Sequence, residues 1–341
     1  MGGHLTPLVG FFREILMYPM RNLMTPDTPF FIVLNAASGK RDAETIEATI
    51  RGVLEQAGRR YDLARIDHPR QLPQLARRAV KLAQQQQGTV VVAGGDGTIN
   101  TVAQAVLNSR LPFGVLPQGT FNYFSRAHGI PTDTATATRM LLDATVRLVQ
   151  VGLINDRVFL VNASLGLYPR LLEEREAYMQ KFGRNRLVAL GAGVITLLRG
   201  HRQLVLGLEH EGQSEILRTP TLVVGNNPLQ LEQVGIPHAD AVQQGLLVAI
   251  TVRPIKTLAL LGILCRGALG QLGDADNVAS FAFDRLTVWP YRRRRIKVAI
   301  DGEVTWLRTP LVFQVAPHPL PLLVPACAIA ASPADADEGV L

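Results

Sequence analysis

Cysteine is almost absent: the 341-residue chain holds two, Cys265 and Cys327. Two cannot build a disulfide framework or a zinc-ligand set, so a reducing, cytoplasmic setting is expected. Long apolar runs are missing as well. None reaches the length of a membrane-spanning helix, and the start of the chain lacks the pattern of a secretory signal. The seven histidines are scattered, without metal-ligand spacing. Charged residues are sparse at 18% and unbalanced, giving a net charge of +7. A basic excess favours anionic partners such as nucleotide phosphates or acidic lipid headgroups. Nucleic acid is not expected, because aromatic and basic residues are not interleaved. Apolar residues are plentiful at 47%, enough for a sizeable core and, at this length, for two domains.

The chain is organised around Thr89 to Val106, TVVVAGGDGTINTVAQAV. Val90, Val91 and Val92 read as a strand buried on both faces of a parallel sheet. Ile99, Val102, Ala103 and Val106 recur at helical spacing. Gly94-Gly95-Asp96-Gly97-Thr98 therefore sits between a strand's carboxyl end and a helix's amino end, where open α/β sheets bind ligands. Glycines let backbone N–H groups approach an anion, and the helix start adds unsatisfied donors. Thr98 could cap the helix or touch phosphate. Asp96 would repel a phosphate unless a Mg²⁺ ion lay between them, or unless it held a hydroxyl or another cation. A plain tight turn with a capping threonine is the alternative reading of these five residues.

The same layout recurs twice. Phe30 to Leu34 reads as a first buried strand, followed by Asn35-Ala36-Ala37-Ser38-Gly39-Lys40 and a helix from Ala43 to Ala57. Lys40 is a candidate phosphate contact or a solvated turn lysine. Phe113 to Pro117 reads as a further strand, leading into Gln118-Gly119-Thr120-Phe121-Asn122. Tyr61 to Ile66 is a weaker strand and Leu72 to Gln87 a helix. Three polar turns after three strands, able to face one sheet edge, form a constellation stronger than any one of them.

Beyond about Leu148 the rhythm changes. Strand candidates are Val158–Ala163, Gln203–His210, Thr221–Gly225, Leu246–Val252, Ser280–Val288, Ile296–Ile300 and Leu311–Val315, which suggests a mostly antiparallel β domain. Helical insertions are expected near Leu171–Leu198 and Pro254–Leu272, as core-facing helices or as a lid over an apolar site. The basic run Arg292 to Arg295 is either a solvated hairpin end or an attraction to an acidic membrane surface. Asp301-Gly302-Glu303 is either a D-G hairpin turn or an acid/base pair. Leu8 to Met24 could form an amphipathic helix on a membrane surface or pack on its own domain. The expected division is a leader over 1–28, a nucleotide-binding α/β domain over 29–148, and a β domain over 149–327 whose last strand could return to the first. A disordered tail over 328–341 completes it.

Taken together these residues resemble the catalytic family of diacylglycerol kinases, soluble lipid kinases that include the sphingosine kinases. Gly94 to Asn100 matches the family's G-G-D-G-T-x-N turn, and Leu116 to Pro131 the next segment, with Gly119, Thr120 and Asn122 in place. Phe159 to Pro169, Gly225-Asn226-Asn227-Pro228 and Asp301-Gly302-Glu303 fall in order behind them. The resemblance implies a three-layer α/β nucleotide domain, similar to NAD kinases and phosphofructokinases, plus a β-sandwich carrying the lipid site. It implies ATP and Mg²⁺ in the cleft and Glu303 as proton acceptor, with Asp96 placing the metal and Asp301 beside them. Asn35, Ser38, Gly39 and Lys40 would complete the phosphate cradle with Gly94, Gly95, Gly97, Thr98 and Asn100. A membrane lipid substrate, peripheral membrane association and a homodimer are also implied.

Several positions depart from the family's pattern. Ala36 replaces a proline, Tyr123 stands where many members have aspartate, and Gln150 where an acid is common. Gln243-Gln244-Gly245 replaces D-D-G, and Val248 follows Leu247 where an aspartate is frequent. Neutral amides bind Mg²⁺ far less well than carboxylates, so the structural metal site of some relatives is in doubt here. A catalytically impaired, lipid-binding pseudokinase is the second expectation, although Asp96 and Glu303 are retained. A kinase of a soluble substrate is the third, disfavoured by the D-G-E ending.

Overall fold

The computed structural model describes residues 25, 27–35, 40–182, 203–254, 266 and 276–326. Residues 1–24 and 26 of the expected leader, the tail over 328–341, Ser38 and Gly39, and most of the Pro254–Leu272 segment lie outside them.

The first domain is built on a six-stranded sheet. Its strands are β1 (Phe30–Leu34), β2 (Tyr61–Arg65), β3 (Thr89–Gly94), β4 (Phe113–Pro117), β5 (Thr145–Val149) and β18 (Leu320–Val324), in the order β2-β1-β3-β4-β18-β5. All neighbours run parallel except β18 and β5. Strand periodicity sends alternate residues to opposite faces. Phe31, Val33, Val90 and Val92 thus join one core with helices α2 (Leu72–Gln86) and α3 (Asp96–Val106). Phe30, Ile32, Leu34 and Val91 join a second core with α1 (Lys40–Gln56) and α5 (Thr134–Leu142). The result is three layers, α/β/α. A short helix α4 (Tyr123–Ala127) follows the loop after β4.

The second domain is built from β6 (Gly152–Ile154), β7 (Arg157–Phe159), β8 (Asn162–Gly166), β9 (Leu204–His210), β10 (Gln213–Thr219), β11 (Thr221–Gly225), β12 (Leu247–Val252), β13 (Val278–Phe283), β14 (Arg285–Pro290), β15 (Arg295–Ile300), β16 (Glu303–Arg308) and β17 (Leu311–Val315). They form two antiparallel six-stranded sheets, ordered β10-β9-β14-β17-β6-β7 and β13-β12-β11-β8-β15-β16. Inward residues of both sheets, among them Phe159, Leu165, Leu206, Val288, Val298 and Phe313, make one apolar core. Helix α6 (Leu167–Phe182) leaves β8, and α7 (Pro228–Gln233) follows the strand Thr221–Gly225.

Two expected strands are each divided. Val158–Ala163 spans the end of one strand, Arg157–Phe159, and the start of β8. Ser280–Val288 is broken at Asp284, where the chain passes from Val278–Phe283 in one sheet to β14 in the other. Both were apolar-rich across a turn that carries no glycine or proline. The helix expected from Leu171 begins earlier, at Leu167, and residues 183–202 lie outside the described part.

Candidate active site

The central turn starts where β3 stops. Gly95 caps α3 in extended conformation, and Asp96 is the first helical residue. The first turn is tied to it: Asn35 Nδ2 donates to Thr98 Oγ1 at 2.7 Å, and the Asn35 N–H donates to the Ala93 carbonyl at 2.8 Å. Lys40 opens α1.

The third turn lies directly against the central one. The Gln118 N–H donates to the Gly94 carbonyl at 2.9 Å. A Cβ on Gly119 would stand 3.1 Å from Gly95 Cα and 2.8 Å from Asn122 Oδ1. Only a glycine permits that approach of one main chain to another. Asn122 is buried at φ +49°, and its amide closes the loop by accepting from the Gly119 N–H and donating to the Gly119 carbonyl. Thr120 is exposed at the loop's tip.

Asp96 is half enclosed between these loops. Its Oδ1 is buried without a hydrogen-bond partner among the described residues. Burial raises its pKa above the ordinary carboxylate value, the charge of Asp301 adds to the rise, and the Asn122 backbone N–H opposes it. A buried carboxylate oxygen with no donor is a costly arrangement, and a cation would relieve it.

The second domain contributes the opposite wall. Asp301 and Gly302 are the two loop residues between β15 and β16, at φ +46° and +90°, with Ile300 paired to Glu303. That geometry is a two-residue hairpin turn of the kind a D-G pair favours. The two carboxylates it carries part company. Asp301 is half-buried, and its carboxylate receives four donors: the N–H groups of Leu160, Val161 and Asn162, at 2.8, 2.9 and 3.0 Å, and Asn100 Nδ2 at 2.7 Å. Burial raises its pKa above the ordinary carboxylate value, and those donors offset part of the rise. Every contact is an N–H, so the pocket is shaped for the ionised form.

Glu303 points back to the first domain. A Cβ on Gly97 would collide with Glu303 Oε1 and stand 2.9 Å from its Cδ. The carboxylate therefore rests against the residue that follows Asp96.

The residues expected to serve the site thus divide. Gly94, Gly95, Asp96, Gly97, Thr98, Gly119, Asn122, Asn35 and Glu303 are brought together around the central turn. Asn100 instead spans the domains, donating to Asp301 and to the Val158 carbonyl at 2.9 Å. Gln243 and Gln244 are exposed in a short 3-10 turn, and no three His, Cys, Asp or Glu side chains cluster among the described residues.

Other contacts escaped the sequence reading. Asn227 Nδ2 donates to the Tyr123 carbonyl at 3.2 Å, just after the third turn, while its Oδ1 caps α7. Gln150 Nε2 donates to Asn226 Oδ1 at 2.8 Å and to the Leu246 carbonyl at 3.0 Å. Asn162 Nδ2 donates to Gln230 Oε1 at 2.8 Å. A polar residue inside an apolar run, as in Val161-Asn162-Ala163, was the only local signal.

A mostly parallel α/β sheet joined to two antiparallel sheets, with a carboxylate of the second domain against the glycine turn of the first, defines a class of two-domain proteins. The model of the diacylglycerol kinase catalytic domain matches residues 29–154. A Pseudomonas aeruginosa protein named "Probable lipid kinase YegS-like" is 30% identical over 248 residues, 70% of this chain and 77% of that protein. An uncharacterized Synechocystis protein is 26% identical over 69% of this chain, which spans 54% of that protein's length. The crystal structure of a diacylglycerol kinase from Bacillus anthracis superposes with a TM-score of 0.65 over 89% of this chain and 100% of that one, at 16% identity. The chain belongs to the diacylglycerol kinase catalytic family.

Proposed function

We propose that the protein transfers the γ-phosphoryl group of ATP, bound with Mg²⁺, to a hydroxyl of diacylglycerol or a related membrane lipid. The observation that carries the reading is the placement of Glu303 against Gly97, so that a second-domain carboxylate borders the glycine turn. The family supports a lipid kinase; the choice of ATP, Mg²⁺ and diacylglycerol is ours.

The residues present fit a nucleotide and its metal. The backbone of Gly94 to Gly97, at the start of α3, would face the phosphates with the Gly119–Asn122 loop beside it. Asp96, with its unpartnered Oδ1, would hold the metal. When bound, Mg²⁺ supplies neutralisation of phosphate charge.

The chain's own part is then positioning and proton transfer. A lipid hydroxyl is a weak nucleophile, and Glu303 takes its proton as the oxygen bonds to the γ-phosphorus and the bond to the β,γ-bridging oxygen breaks, releasing ADP. Asp301 has its acceptor positions filled, so it acts as a positioning residue that fixes the turn presenting Glu303. Asn100 locks that turn to α3. The lipid would be met at a membrane surface, by a protein held there peripherally; no helix among the described residues is long and apolar enough to cross a membrane.

A phosphate-transfer assay on mixed lipid vesicles tests the reading. Wild type is expected to label a lipid with the γ-phosphate in the presence of Mg²⁺. Glu303→Gln is expected to lower kcat roughly 100- to 10,000-fold. Absence of any labelled lipid, or full activity in Glu303→Gln, overturns it.

A further inference from the structure

The sheet that contains β9, β10 and β14 carries apolar side chains in the open. Ile216 is 81% exposed, Trp289 40% and Tyr291 62%. Register puts them together. Ile216 on β10 and Trp289 on β14 both pair with Gly207 on β9, from opposite sides, so both stand on the outer face. Gly207 leaves a gap between them, and the Trp289 ring leans over it: a Cβ there would lie 3.8 Å from Trp289 Cε3. On the next rung Arg218 pairs with Val205, whose carbonyl accepts from the Tyr291 N–H at 2.9 Å.

The basic run expected from the sequence borders this patch. Arg292 to Arg295 are all exposed, in the corner where the chain crosses from one sheet to the other. The Arg292 guanidinium lies over the Tyr291 ring, 5.1 Å from its centroid. One acid shares the face, Glu209, a rung beyond Gly207 and paired with Ser214 and Thr287.

We propose that this face is where the protein lies on a bilayer containing anionic lipid. Ile216, Trp289 and Tyr291 enter the headgroup boundary, and Arg218 with the Arg292–Arg295 corner contacts the phosphates. The composition fits that occupant. Amphipathic aromatic rings prefer the membrane interface, and clustered arginines are drawn to anionic leaflets. A second copy docked face to face about a two-fold axis would bring two arginine runs into one interface. The choice of a bilayer rests on the lipid-kinase reading, and the binding itself can be read without it. Arg295 opens β15 and Ile300 closes it beside Asp301, so the corner lies about 17 Å along the strand from the turn that carries Glu303. Docking and chemistry can be lesioned separately.

Trp289 and Trp306 are the chain's two tryptophans, so Trp306→Phe leaves Trp289 as the sole reporter. With full-length protein, its emission is expected to shift to the blue and to be quenched by brominated lipid in phosphatidylcholine–phosphatidylglycerol vesicles, and not in phosphatidylcholine alone. Arg293→Gln with Arg294→Gln, both exposed, is expected to reduce vesicle partitioning on the order of tenfold. Added salt is expected to reduce it in wild type. Phosphorylation of a short-chain, monomerically dispersed lipid by that double variant is expected to match wild type. Unquenched Trp289, undiminished partitioning of the arginine variant, or a dimer that dissociates on Trp289→Ser overturns the docking face. Persistent quenching with no lipid ever phosphorylated leaves the face in place and removes the kinase reading.

Discussion

At Gly97 a missing side chain leaves room for the Glu303 carboxylate. Any Cβ there meets the Glu303 carboxylate. Gly97→Ala should displace Glu303 and lower kcat/KM by about 100-fold, while thermal unfolding changes little because the site is at the surface of both cores. Steady-state kinetics with a parallel melting curve checks this. Asp96 makes a converse case. Its pKa is raised above the unfolded value, chiefly by burial. A group raised in this way favours folding fully below its unfolded pKa, and that contribution is lost as pH rises through the folded pKa. Asp96→Asn should therefore melt higher than wild type at pH 7.5, by on the order of 2 °C, with the gap closing toward pH 4, and it should lose turnover. Scanning calorimetry of the nucleotide-free proteins across that range decides it. The hairpin reading of Asp301-Gly302-Glu303 holds: the pair D-G makes the turn, and the turn places Glu303 against Gly97. What the residues alone could not show is that Asp301 is consumed by four donors, three of them backbone groups more than a hundred residues away in sequence.

Among the elements, the strands with runs of β-branched residues and the glycine turns after them were legible, because burial on both faces leaves a pattern in composition. Thr145–Val149 and Gln213–Thr219 were not, since partly exposed strands with threonine, arginine and glutamate carry little hydrophobic signal. Nor were contacts made by single amides. Asn227 joins the start of α7 to Tyr123 beyond the third turn. Asn227→Ala should raise the KM for nucleotide severalfold and cost about 1 kcal/mol as a lost helix cap, read from kinetics and urea denaturation. Near the same loop, Arg147 Nη2 meets His128 Nδ1 at 2.8 Å. A guanidinium can only donate, so Nδ1 accepts and the imidazole proton sits on Nε2. Burial, with Arg147 adding, lowers the His128 pKa to about 3. His128 should remain neutral from pH 8 to pH 5 in an NMR titration. Its contribution to stability is complete above the unfolded pKa and falls away as pH drops toward 3.

Among the described residues the polar part of the joint between domains is made of neutral amides and one saturated carboxylate, beside apolar packing of Val158, Leu160 and Val161 on the first domain's core. Asn100, Gln150, Asn162, Asn226 and Asn227 each reach across element boundaries. Removing the carboxylate should be severe. Asp301→Ala leaves three backbone N–H groups without an acceptor and should cost on the order of 3 kcal/mol, visible as a shifted denaturation midpoint with unchanged slope. The sheet order adds a second constraint. β18 lies between β4 and β5, with Leu320, Leu322, Leu323 and Val324 wholly buried. No local feature of Leu320–Val324 announces that neighbour, because strand partners distant in sequence are chosen by the core they complete.

That insertion bears on how the protein is made. A ribosome that has finished β5 has released every helix of the first domain and five of its six strands, yet the sheet still has a slot with no occupant. The slot waits through the synthesis of the entire sandwich. A message cut short before codon 320 would leave two apolar strand edges bare in the nascent product, a substrate for chaperones and proteases and not a smaller enzyme.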